Sequence, residues 1–113
     1  MLGIRSLETT DHIRVWIGVA GVIPVMGCEL LAANEGAYIN FLTLATSGSE
    51  YRAKLEGTLN HYRLQLLELL DVRPFSLSDS SSEEIQTIAK ELEDDGNLQH
   101  VRYSTFHTFP RVM

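Results

Sequence analysis

Four histidines (His12, His61, His100 and His107) and a single thiol, Cys28, are the side chains of this 113-residue chain best suited to metal or nucleophilic chemistry. Their spacing supports neither. No two histidines stand in an HExxH arrangement, and zinc sites built on paired cysteines need more than one thiol. A reactive thiolate requires an electropositive setting, whereas Cys28 is followed by an acid, Glu29. GxSxG, GxGxxG and GxxxxGK[ST] do not occur, which leaves hydrolase-elbow, dinucleotide and P-loop chemistry without support. The expectation is a non-enzymatic protein without metal or cofactor.

The densest run of functional side-chain types is Arg102-Tyr103-Ser104-Thr105-Phe106-His107-Thr108-Phe109. On a regular strand Arg102, Ser104, Phe106 and Thr108 share one face, and Tyr103, Thr105, His107 and Phe109 the other. A packed strand accounts for this composition. The sharper alternative is a small ligand-binding or enzymatic pocket using Arg102 or His107, and a pocket requires convergent polar groups.

Charge is informative by position. The whole chain carries −6. Residues 76–97 hold Asp79, Glu83, Glu84, Glu91, Glu93, Asp94 and Asp95 against Lys90, seven acids to one base, also −6. Nucleic-acid binders show a basic stripe instead, so direct nucleic-acid binding is disfavoured. A solvated helix face explains such a run. The alternative is an acidic docking surface of the immunity or inhibitor type, in which Glu83, Glu84, Glu91, Glu93, Asp94 and Asp95 meet a basic partner.

The elements that must position these groups follow from apolar spacing. Residues 1–11 form a polar lead-in. Ile13, Val15, Ile17 and Val19 alternate with Arg14, Trp16, Gly18 and Ala20, which predicts a strand ended by Pro24. Residues 25–36 are an apolar connection expected to fold back in part onto the domain. A second strand spans 37–45. Ser47-Gly48-Ser49-Glu50 matches a capping box, with Tyr51, Leu55, Leu59 and Tyr62 at helical spacing behind it. Leu66, Leu67, Leu69, Leu70 and Val72 fit neither period well. Arg73-Pro74 closes them, and a third strand is favoured over a longer helix. Ser80 with Glu83, or Ser81 with Glu84, offers a second cap before the stripe Ile85, Ile88, Ala89 and Leu92; Gly96 stops that helix. A last strand is expected over about 98–109.

One domain of α+β class results, a two-layer sandwich of a four-stranded sheet with two helices on one face. The order is ββαβαβ, a ferredoxin-like type of layout. A lone cysteine and no apolar run of about 18 residues fit a cytoplasmic protein with no membrane partner. Val25-Met26-Gly27-Cys28 faintly resembles a lipoprotein cleavage site, but Glu8 and Asp11 precede it where a basic region is required.

Alternation along the strands is incomplete. Trp16 and Val22, Tyr38, Leu42 and Leu44, and Phe106 all fall opposite the rows assigned to the helix-covered face. The uncovered face is then too apolar for water. Packing against a second copy through these six residues is the preferred expectation, with residues 25–36 as the alternative cover.

Overall fold

The computed structural model describes residues 12–32, 35–76 and 82–110, with His107 and Pro110 described by their backbone. The expected Ser80 and Ser81 caps and the 1–11 lead-in lie outside these residues. The chain forms β1 (Arg14–Pro24), β2 (Glu35–Ala45), α1 (Gly48–His61), β3 (Leu64–Pro74), α2 (Glu83–Asp95), β4 (Val101–Tyr103) and β5 (His107–Pro110). The strands make one antiparallel sheet in the order β3-β1-β2-β4, with β5 also on β2. The α+β class, the antiparallel sheet and the element order are therefore as expected.

The centre of the sheet is the β1–β2 ladder, in unbroken register from Arg14 opposite Ala45 to Val22 opposite Ala37. Because side chains alternate between faces, this register sorts every residue. Ala20, Val22, Ile39, Phe41 and Ala45 face α1, where Tyr51, Leu55 and Leu59 (i, i+4, i+8) complete a core. Val15, Ile17, Leu42 and Leu44 face the other way and pack against Ile85, Ile88, Ala89 and Leu92 of α2. The two helices lie on opposite faces, each making its own two-layer contact with the sheet. That corrects the expectation of both helices on one face. The physical reason is visible at the end of β3, where the Phe75 N–H donates to the Val15 carbonyl at 2.8 Å. Phe75 then packs with the α2-side core, so the chain leaves the sheet on that side.

The apolar connection after β1 does fold back. Leu31 is buried, and Cys28 and Leu30 pack beside it, all in the α1-side core. It therefore adds to the face that α1 already covers.

Two further differences concern strand regularity. Against β1, β3 carries two register shifts, one between Ile17 and Val19 and one between Gly21 and Val22. Asp71 has a left-handed φ of 55° at the first. Each shift places an extra residue on β3, which is why its leucines fit no simple period. The single last strand is in fact two. Tyr103 opposes Phe41 but His107 opposes Tyr38, so three residues of 104–106 span two of β2. Ser104 at this break is buried, and its N–H donates to the Asn40 carbonyl.

The caps are local chemistry. Ser47 Oγ accepts from the Glu50 N–H at 3.1 Å, and Glu50 accepts from the Thr46 N–H at 2.6 Å and hydroxyl at 2.8 Å. The second helix is capped by Ser82, whose hydroxyl accepts from the Ile85 N–H. Gly96, at φ 68°, takes the left-handed C-cap.

Glycine positions give a direct stability test. A Cβ on Gly57 would meet nothing within 4 Å, whereas one on Gly18 would lie 2.8 Å from Tyr51 Oη and 3.1 Å from Val72 Cγ2. Gly57→Ala is expected to raise unfolding free energy in urea by about 1 kcal/mol, and Gly18→Ala to lower it. The Thr46 N–H and hydroxyl, aided by Lys54, hold the Glu50 carboxyl below its ordinary range. The stabilisation is full above the unfolded carboxylate range and is lost as pH falls through the lower folded value. Glu50→Gln should therefore flatten the acid limb of a stability-versus-pH curve relative to wild type.

Candidate functional site

On the α2 side of the sheet the register builds transverse rows. Val15 opposes Leu44, and Ile17 opposes Leu42 and Arg73. These rows lie in or beside the core made with α2. The next rows have no helix over them. Val19 stands between Asn40 and Leu70, and Gly21 between Tyr38 and Glu68. In β5, Phe109 opposes Gly36.

This open half-face is apolar. Tyr38 is 47% exposed, Leu70 42% and Leu67, the extra residue of a β3 bulge, 55%. Val19, Ile23 and Phe109 are half-buried around them. Two aromatic rings cover glycines. A Cβ on Gly21 would fall 2.8 Å from the Tyr38 ring, and one on Gly36 would fall 2.6 Å from the Phe109 ring. Both rings thus lie against bare backbone, 5.6 Å apart between centroids. The Tyr38 hydroxyl reaches across Gly21 to donate to Glu68 at 2.7 Å. That carboxylate holds the Tyr38 phenol above its ordinary range, in its neutral, donating form. The result is an exposed aromatic and aliphatic platform with the Glu68 carboxylate beside it.

The six residues expected to share the uncovered face are divided between the two faces. Trp16, Val22 and Phe106 belong to the α1-side core, with Trp16 packed beside Gly48 at the start of α1. Trp16 Nε1 is buried with no acceptor among the described residues. Leu42 and Leu44 are buried under α2. Tyr38 is the one that stands on the platform. Leu70, Leu67, Phe109 and Glu68 are not among the six. The signal for the leucines was their misfit to either period.

The acidic helix is asymmetric. On its β4 side, Glu84 accepts from the Thr105 N–H at 2.9 Å and hydroxyl at 2.8 Å. Arg102 Nη1 bonds Glu91 Oε1 at 2.9 Å, and His100 Nδ1 lies 3.7 Å from Asp95. On the other side Glu83 and Glu93 line a groove of about 520 Å³ with Phe75, Gln86, Thr87, Ala89 and Lys90. Among the described residues Glu83, Glu93 and Asp94 are unpaired. The last turn contains no basic residue, so Glu93 and Asp94 face the negative end of the helix dipole, each at a cost of about 0.3–1 kcal/mol.

Arg102, a pocket candidate, is thus committed to α2, while the backbone of His107, the other candidate, pairs with Tyr38. The bulge at 104–106 overturns the regular-strand alternation assumed for them. His61 packs edge-on against Tyr62 at the end of α1, and Cys28 is a half-buried free thiol. Among the described residues no three His, Cys, Asp or Glu side chains gather where they could hold a metal ion, and no helix is long and apolar enough to cross a membrane. No protein-family model, curated protein or solved structure matches this chain.

The Glu84–Thr105 bonds test whether α2 is pinned to the sheet edge. Glu84→Ala should lower stability by about 1 kcal/mol and speed amide exchange at Thr105, with the spectrum of the α1-side core unchanged.

Proposed function

We propose that this chain is a non-enzymatic interaction module that forms a homodimer through the open half-face of its sheet. The single observation carrying this reading is the platform of Tyr38, Leu70 and Leu67, exposed beside half-buried Val19, Ile23 and Phe109. An apolar patch of this kind marks an interaction site more often than a solvated surface. The apolar connection 25–36, which was the intramolecular alternative, contributes Cys28, Leu30 and Leu31 to the opposite face.

Two features favour face-to-face packing over strand addition. One edge of the sheet is β3, bent by two bulges, and the other is β4 and β5, interrupted at residues 104–106. Irregular edges discourage pairing with another strand. The rings also lie directly over Gly21 and Gly36, so the platform presents aromatic faces to whatever packs on it. A twofold arrangement sets identical patches against each other, and Tyr38 already satisfies Glu68 within its own protomer.

Size-exclusion chromatography with light scattering tests this. Wild type is expected to run at twice the monomer mass of 12.7 kDa, and Leu70→Glu or Tyr38→Glu at the monomer mass with an unchanged circular-dichroism spectrum. A monomeric wild type at 100 µM, or a dimer indifferent to both substitutions, overturns the proposal.

A further inference from the structure

The groove beside α2 lies on a different surface from the platform and has a different chemistry. Its floor is Phe75 and Ala89, and its polar walls include Glu83 at one end and Glu93 at the other. Ten residues of helix separate these two acids, about 15 Å along the axis. Among the described lining residues Lys90 is the one cation, and it lies near the Glu93 end, where Asp94 adds a further negative charge. On the opposite side of the same helix Glu84 and Glu91 are taken up by Thr105 and Arg102, and His100 lies near Asp95. The unpaired acids thus border an apolar trough, at a helix whose last turn lacks any basic residue.

We infer that this groove docks an extended segment of a partner protein that presents one apolar side chain between two cations. The charge excludes the opposite class of ligand: an anionic lipid surface or a nucleic-acid backbone would be repelled. An extended strand advances about 3.3 Å per residue, so side chains four apart lie about 13 Å from each other. Cations at such spacing reach Glu83 and Glu93 together, and the residue midway between them falls over Phe75 and Ala89. Paired in this way, Glu93 gains a cation at a helix end whose last turn has no basic residue.

The test uses three capped pentapeptides titrated into ¹⁵N-labelled full-length protein: Arg-Ala-Leu-Ala-Arg, Arg-Ala-Ser-Ala-Arg and Glu-Ala-Leu-Ala-Glu. The first is expected to give saturable amide shifts at Thr87, Ala89, Lys90 and Glu93. Its affinity should fall at least fivefold in the Glu83→Gln/Glu93→Gln double variant and with added salt, and stay unchanged in Glu84→Gln. The serine peptide should bind several-fold more weakly and the acidic peptide not at all. No saturable shifts, or equal binding of the three peptides, overturns the inference. So does tighter binding in Leu77→Ser, because the groove would then be filled by the chain's own 76–82 connection. The monomeric platform variant Leu70→Glu should bind the first peptide as wild type does, which keeps this test separate from that of the dimer.

Discussion

The structure depends on the nine-pair ladder between β1 and β2. Both strands carry apolar side chains on both faces, and a strand of that kind must be sandwiched. All residues from Phe41 to Ala45 of β2 are buried, including Thr43, whose hydroxyl donates to the His100 carbonyl. Each helix is held by the row of side chains that the ladder presents to it. The α1 stripe meets Ile39 and Phe41, and the α2 stripe meets Leu42 and Leu44. Slipping the register by one residue would present each helix with the other's row.

A two-sided ladder needs cover on both faces, and the chain supplies it unevenly. The α1 face is covered by the helix and by Cys28, Leu30 and Leu31 of the chain returning after β1. The α2 face is closed at one end, because the chain leaves β3 beside Val15 through the Phe75 bond. At the other end tyrosine and phenylalanine rings are laid over glycines in place of a helix. Glycine at 21 and 36 is what lets the rings lie that close to the backbone. The platform is thus the unfinished end of a two-sided core.

Irregularity at the sheet edges shapes everything peripheral. Two bulges turn β3, and a three-residue break divides the β4 and β5 segments. The break brings Thr105 to Glu84, and the register of β4 sets Arg102 against Glu91. Half of the acidic helix is consumed in holding itself to the sheet, and the other half is left bordering a groove. Total charge therefore says less about α2 than which side of the helix each acid occupies.

Much of this was written locally. Alternation marked β1, the Ser47–Glu50 box and its 51/55/59 stripe marked α1, and the 85/88/89/92 stripe with Gly96 marked α2. Each depends on contacts within a few residues, so neighbouring side chains suffice to specify it. The surplus apolar rows were also legible, as a second face needing cover. Sequence could not say which face each helix takes, because an amphipathic stripe fits either apolar row equally well. Nor could it locate the bulges in β3 and at 104–106, since an inserted residue is defined by the partner strand it mispairs with. Those two long-range facts decided the remainder. They moved Trp16, Val22 and Phe106 into the α1-side core and Leu42 and Leu44 beneath α2. They left Tyr38, joined by Leu67, Leu70 and Phe109, on the open part of the sheet.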